Sequence, residues 1–519
     1  MERIHSSDFK SPKGFTEFTV ESSLEKLEGN IEESFEPHQK YEEPTWKTKH
    51  VMKLNLLIYP IILSGIFNGF DAFLMASVQM SPHWFAEMGN PSGAVLGALT
   101  AGPQFGYCMA LWVARYVSDR FGRKPASLVG AIITTVGALI QSFSNCYAAF
   151  MVSRIILGWG LSFYFVSAPA WISELALPNH RSIFVSIMNG SAFLGRMMAT
   201  WIAYGAYKID SNWQWRIPAL SQLSVTIFHL IIFWFVPESP RFLLSKNKAE
   251  KARSVLIQYH AGGNMKQYGD FVNQEYSQIV VALKKEQETA NFSWMAFFQS
   301  KKNFHRFAIC AFMGFMQYNV GLFAITYYMN PVLKVTGYTS DREQLLILAI
   351  LVTFNFVIAY GPPFIITKFQ RRRVFLCSLI ALFASYLVFV VLSGINAEGG
   401  FKKGYSKGIL ALIFIFYFLY DVSFLGMLTV YIMDILSFAL RSRGIMVYII
   451  SGQIWVIFNS FITPVAMDSI SWRFYIVYCC TIVFCFAFVF FLFPETKGLN
   501  LEQTDTLFEK GASMETYNR

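Results

Sequence analysis

Charge is scarce in this chain. Only 15% of its residues are Asp, Glu, Lys or Arg, against 54% hydrophobic. That shortage excludes an ordinary soluble domain, in which about a quarter of residues carry charge. Cysteine is scarce too: Cys108, Cys146, Cys310, Cys377, Cys479, Cys480 and Cys485 are the seven. No spacing among them suggests a zinc site or a disulfide framework. All but Cys146 fall in apolar runs, where a thiol serves as a small apolar filler. No signal peptide precedes the first apolar run. Residues 1–52 are polar and rich in acids and read as a disordered cytoplasmic tail. There is no phosphate loop, no cluster of metal ligands and no nucleophile–base pair, so neither an enzyme, a cofactor nor a metal is expected.

What the chain has instead is long apolar runs. About 20 apolar residues span a bilayer. Twelve runs reach that length, at 53–77, 94–115, 126–144, 148–172, 184–207, 216–236, 306–330, 343–366, 374–394, 408–432, 444–467 and 472–493; in this order they are spans 1 to 12. The expected organisation is an N-terminal six-helix bundle over 53–236, a cytoplasmic loop with short helices over 237–305, a C-terminal six-helix bundle over 306–493 and a cytoplasmic tail over 494–519. Helical patches at 247–258 and 270–287 mark the loop.

The net charge of +10 could suggest nucleic acid, but its distribution points to membrane orientation. Arg and Lys crowd alternate connections: Arg115, Arg120, Arg123 and Lys124 after span 2, Arg181 after span 4, Lys368 and Arg371 to Arg373 after span 8, Arg441 and Arg443 after span 10. The connections 78–93 and 145–147 have none. By the positive-inside rule both termini are cytoplasmic, and no nucleic-acid partner is expected. Three lysines in 396–407 run against the pattern. The sequon Asn291-Phe292-Ser293 falls on the cytoplasmic side and is expected to be unused.

The two halves repeat one set of marks. Ser173-Glu174 leads to Arg181, and Met433-Asp434 leads to Arg441. Each pair puts an acid at the end of an apolar run and an arginine seven positions later. Pro237-Glu238-Ser239 follows the first copy and Pro494-Glu495-Thr496 the second. Paired marks at this distance indicate two homologous halves of one membrane protein.

Together with Asn68-Gly69-Phe70-Asp71, Asp119-Arg120-Phe121-Gly122-Arg123-Lys124, Arg154 with Gly158 and Gly160, Pro240-Arg241 and Lys497-Gly498-Leu499, these motifs make the chain resemble the sugar-porter family of the major facilitator superfamily. The likeness is to fungal lactose-permease-like and hexose-permease-like members, over about 55–508. It implies the major facilitator fold: all-α, with twelve transmembrane helices in two six-helix bundles around a central solute site that opens alternately to each side. It implies a monomer that takes a sugar-like solute and a proton across a lipid bilayer, most simply the plasma membrane.

Asp119, Arg123, Glu174, Arg181, Glu238, Arg371, Asp434, Arg441 and Glu495 fall at cytoplasmic span ends. They can bridge the bundles when the inner side is closed, or serve only as orientation anchors; the resemblance favours a gate. Solvated pairs contribute little stability, which suits a contact that must break. Ionisable residues at membrane depth default to functional readings, and Asp71, Arg154, Arg196 and Asp421 are the four candidates. The resemblance gives Asp71 and Arg154 to proton coupling: paired, the carboxylate stays ionised; released in a dry interior, it takes a proton. A static tie between spans 1 and 4 is the other reading.

For the solute, the family's span 7 pattern Gln-Gln-x-x-Gly-x-Asn-x-x-x-Tyr-Tyr becomes Gln317-Tyr318-Asn319-Val320-Gly321-Leu322-Phe323-Ala324-Ile325-Thr326-Tyr327-Tyr328. Tyr318 and Phe323 replace two amides that bind sugar in the family. Tyr318 and Asn319 are the candidates to replace the lost contacts, beside Gln317, Asn189 in span 5, Asn355 in span 8 and Thr429 in span 10. Thr367 and Gln370 stand where the second basic motif has Asp and Gly. A lost partner for a hydroxyl costs about 1–3 kcal/mol, so ordinary glucose specificity is not expected to carry over unchanged. Arg196 shares a helix face with Asn189 and, facing the cavity, would favour an anionic solute; snorkelling to the interface is the alternative. Asp421 is expected near the outer end of span 10. The leading expectation is a proton-coupled sugar importer, with a polyol or organic-anion transporter and a non-transporting nutrient sensor as alternatives.

Overall fold

The computed structural model of the protein describes residues 48–289, 294–335, 337–360, 369–398, 403–424, 427–436, 438–497 and 508. The tail before Thr48, the sequon at 291–293, Thr367, Lys368 and most of the tail after Lys497 lie outside the described residues.

The apolar runs form helices. Span 1 is Lys49–Ile62 and Ser64–Val78, broken at Leu63; spans 2 to 6 are Gly93–Phe121, Arg123–Ser142, Tyr147–Leu175, Arg181–Ala206 and Trp213–Ile232. Span 7 is Lys301–Asn319 continued by Leu322–Tyr327, and spans 8 and 9 are Asp341–Tyr360 and Arg371–Glu398. Span 10 is Lys403–Ser423 continued by Met427–Ile435, and spans 11 and 12 are Phe438–Ile470 and Phe474–Leu492. Between the halves lie the helices Pro240–Ser245, Ala249–Tyr259 and Met265–Thr289.

In the first half span 4 packs along spans 2 and 3, and span 1 along span 5; in the second, span 9 packs along spans 10 and 12, and span 7 along span 11. The halves meet where span 2 lies on span 11 and span 5 on span 8. Large apolar side chains such as Trp112, Trp234 and Val357 stay exposed on the outside, as contact with lipid chains requires.

Among the described residues nine helical stretches are long and apolar enough to cross a membrane, the last of them, Arg443–Leu492, covering both spans 11 and 12. Spans 5 and 7 are not in that set. Span 5 carries Asn189 and Arg196, and span 7 carries Gln317 to Asn319.

Two glycines show what the packing demands. A Cβ on Gly69 of span 1 would collide with the Ala192 carbonyl of span 5, and one on Gly195 with the Ile66 carbonyl. Any side chain there would prise the two helices apart. In span 7, Gly321 takes φ +98°, a left-handed conformation that glycine adopts at little cost, and the helix restarts at Leu322.

The end of the molecule that carries the 78–93 connection is closed. Gly97 of span 2 lies against Ser460 and Phe461 of span 11. Asn330 Nδ2 donates to the Gln79 carbonyl at 3.0 Å, and Trp201 Nε1 to the Thr353 hydroxyl at 2.9 Å. The Arg342 guanidinium lies 5.8 Å from the Tyr204 ring. All four contacts join one half to the other.

Candidate functional site

At the opposite end the repeated marks build the same structure twice. In the first half Glu238 accepts the backbone N–H of Arg123 at 3.1 Å and of Lys124 at 3.2 Å. These are orphan donors of the first turn of span 3, where a negative charge is favoured. The Arg123 side chain then forks onto Glu174, with Nε to Oε2 at 3.0 Å and Nη2 to Oε1 at 3.1 Å. Ser239 Oγ donates to Glu174 at 2.6 Å. In the second half Glu495 accepts the N–H of Arg371 at 2.8 Å and of Arg372 at 3.1 Å. Arg371 Nε reaches Asp434 at 3.5 Å and Thr496 Oγ1 at 3.3 Å donates to the same carboxylate. Burial pushes the Glu238 carboxyl above its ordinary range, outweighing its N–H partners and the Arg123 charge.

These pairs lie within one half each. Asp119 joins Arg123 at 3.3 Å. Arg181, seven residues after Glu174, does not turn back to it but pairs with Glu275 of the Met265–Thr289 helix at 2.7 Å. Glu275 also receives His260 Nδ1 at 2.6 Å, and the other ring nitrogen of His260 faces the Leu175 carbonyl at 3.1 Å. Arg441 donates to the Met433 carbonyl at 3.3 Å. Across the halves, Arg115 donates to the Met446 sulfur at 3.0 Å.

Asp71 and Arg154 meet as the sequence predicts. Arg154 Nη1 lies 2.6 Å from Asp71 Oδ1, with both side chains almost fully buried. Gln222 of span 6 donates to the same oxygen at 3.3 Å. Burial in a low dielectric makes such a pair costly to break.

Arg196 faces inward, not to the interface. Its guanidinium stacks over Phe193 at 4.4 Å and Phe73 at 5.3 Å. It lies within electrostatic reach of Tyr318 and Tyr327 of span 7 and of Tyr417 and Tyr420 of span 10. Asn189, two turns before Arg196 on the same face, is exposed. Gln317 Oε1 accepts from Tyr448 at 2.7 Å, and its carbonyl from Tyr420 at 2.9 Å. Asn355 is buried with neither side-chain atom hydrogen-bonded.

Two expectations need correction. Asn319 does not replace a lost amide: its Nδ2 donates to the Phe315 carbonyl at 2.9 Å and its Oδ1 accepts from Asn459 at 3.1 Å. The helix phase turns it toward spans 11 and 12 instead. Asp421 is not at the outer end of span 10. It is mid-span, 4% exposed, and shares its surroundings with Arg196, Tyr417 and Tyr420. Thr429 is exposed, eight residues farther along span 10 than Asp421, and makes no hydrogen bond to the tyrosine cluster among the described residues.

A family model described as sugar (and other) transporter matches residues 57–508. The chain belongs to this family. Among its relatives are the MFS-type transporter criB of Aspergillus cristatus, 25% identical over 86% of this chain and 91% of the relative, and a high-affinity glucose transporter of Kluyveromyces lactis, 25% identical over 89% of this chain and 86% of that one. The xylose transporter XylE of E. coli in an inward-open conformation superposes with a TM-score of 0.71 at 20% identity, covering 88% of this chain and 99% of its own. That likeness establishes the fold: two six-helix bundles of the major facilitator type. As a member of this family the chain is a multi-pass integral membrane transporter.

For this family member, sequence reasoning missed Gln222, Tyr417, Tyr420 and Glu275. Gln222 is fully buried, and an amide in an apolar run is a signal for it. Tyrosine is common in apolar spans, and nothing in the sequence marks Tyr417 and Tyr420 apart from their neighbours.

Proposed function

We propose that this protein carries a neutral sugar-like solute across the membrane by alternating access, in symport with a proton. The observation that carries the reading is the convergence, between the halves, of Arg196 from span 5 with Tyr318 and Tyr327 from span 7 and Tyr417 and Tyr420 from span 10. Gln317, Asn355 and Asn189 add hydrogen-bonding capacity. Aromatic faces and polar tips from both bundles suit a polyhydroxylated solute. The named specificities of the relatives, glucose and xylose, agree with that class.

The conformation is inward-facing on this reading, with 78–93 outside and both termini cytoplasmic. Contacts through Gly97, Gln79 and Trp201 close the outer side. Among the described residues no arginine–carboxylate pair of the inner side joins the two bundles, and the bond from Arg115 to the Met446 sulfur is the weak link to be broken there. Rocking to the outward-facing state would break the outer contacts and bring Glu174 and Asp434 toward arginines of the other bundle. Asp71 couples the proton: while Arg154 holds it the carboxylate stays ionised, and when the solute moves span 1 against span 4 the freed carboxylate takes a proton. The protein works as a monomer in the plasma membrane, with no cofactor. Uptake of a panel of labelled sugars and polyols by a transport-null host, with and without a pH gradient, tests the reading. Absence of uptake of every neutral solute by protein delivered to the surface would overturn it.

A second reading, transport of an organic anion, is favoured by one observation: among the described residues the Arg196 side chain has neither an ion pair nor a hydrogen bond.

A further inference from the structure

Among the described residues, each half places in the interior a charged side chain that has no ion-pair partner. In the N-terminal half it is Arg196, whose Nε is buried without a partner and whose guanidinium rests on two phenylalanine rings. In the C-terminal half it is Asp421, 4% exposed, whose Oδ2 has no partner. Arg196 is the charged group that acts on Asp421, yet the two do not form an ion pair. Two tyrosine hydroxyls of the same helix are used elsewhere. The Tyr417 hydroxyl is bound to Thr326 at 2.8 Å, and the Tyr420 hydroxyl donates to the Gln317 carbonyl at 2.9 Å. A carboxylate and a guanidinium at membrane depth, one on each moving bundle, are expensive unless something bridges them.

We infer that Arg196 and Asp421 are a cross-bundle charge couple that admits solutes of zero net charge and rejects ions of either sign. This rests on the sugar-like reading above and sets its charge class. A solute lying between them donates hydroxyl protons to Asp421 and accepts from Arg196, so both charges are hydrogen-bonded at once. An anion drawn to Arg196 must sit beside Asp421, and a cation drawn to Asp421 must sit beside Arg196. Each residue repels what the other attracts. The organic-anion reading takes Arg196 alone, and Asp421 removes its basis. The couple also ties recognition to motion, because a bridging solute pulls one bundle toward the other.

The inference specifies what each substitution does to selectivity. Asp421→Asn leaves a net positive site that accepts a sugar acid. Arg196→Gln leaves a net negative site that accepts an amino sugar. The double variant is neutral again but has lost both repulsions. The test is binding by purified full-length protein in lipid nanodiscs, read as ligand-induced thermal stabilisation. The probes are a neutral panel of D-glucose, D-xylose and sorbitol, with D-glucuronate and D-glucosamine as the charged ones. Wild type should bind a neutral probe at least about tenfold more tightly than either charged one, and each single variant should gain about tenfold for its matching ion relative to the neutral probe. If a single variant does not fold, the double variant gives the answer: it must bind the neutral probe and no longer discriminate against either ion. Wild type that prefers glucuronate, or variants that keep the wild-type ranking, would overturn the inference while leaving carbohydrate binding intact. Folded wild type that binds none of the probes would overturn the sugar reading together with it.

Discussion

Glu495 caps the start of span 9 at Arg371 as Glu238 caps the start of span 3 at Arg123, with N–H to carboxylate distances of 2.8 and 3.1 Å. The two contacts are 248 positions apart in the chain (371 − 123) and place the same chemistry at corresponding corners of the two bundles. Each carboxylate also fixes the connection that leaves the preceding span: Glu238 accepts from Ser239 at 2.9 Å, and Glu495 from Thr496 at 3.1 Å.

Removing either cap should therefore loosen a bundle corner. Glu495→Ala leaves two N–H groups of a first turn without a carboxylate and should cost about 1 kcal/mol, read as a lowered melting temperature in detergent. Glu238 adds a pH signature. Burial raises its carboxyl, so the folded state holds that proton more tightly than the unfolded chain does. Stability should fall as pH rises from the ordinary glutamate range through the raised folded value, and stay at the lower level above it. Glu238→Gln should flatten that part of the profile. An unchanged profile in the variant would remove Glu238 as its source.

The inner gate can be tested by separating delivery from cycling. Glu174→Ala deprives Arg123 of its forked partner and Ser239 of its acceptor, and Arg441→Ala removes the second-half counterpart of Arg181. Each should slow transport severalfold at normal surface abundance. Wild-type rates in both variants would leave these residues as orientation anchors only.

Closure of the outer end depends on Gly97. A side chain there meets the Ser460 carbonyl and the Phe461 backbone of the opposite half. Gly97→Val should hold the outer side apart, with solute still binding from outside while net transport stops. Transport at the wild-type rate would show that the halves do not need this approach.

The proposed proton coupling rests on Asp71. Asp71→Asn keeps the shape of the side chain and its contacts with Arg154 and Gln222 but cannot titrate. The variant should lose uphill accumulation driven by a pH gradient and retain downhill exchange. Accumulation equal to wild type under the same gradient would place the coupling elsewhere.

The sequence by itself determined the twelve helices, the two halves and the charged corners. Each follows from local facts: a run long and apolar enough for a bilayer, and an acid or arginine at its end. Asp71 and Arg154 stood out as ions at membrane depth, and the family resemblance paired them. The tertiary structure decided which partner each polar group takes. Arg181 stands as near in sequence to Glu174 as Arg441 to Asp434, yet it pairs with Glu275 in the loop between the halves. Asn319 lies two residues from Gln317 but points to spans 11 and 12, because two residues are about 200° around a helix of 3.6 residues per turn. Asp421 and Arg196 belong to different halves, and no local stretch of sequence relates them. An apolar run fixes that a helix crosses the membrane, while its rotation and its neighbours are set by close packing against the other helices, such as the approach of Gly69 and Gly195, and no single run contains that information.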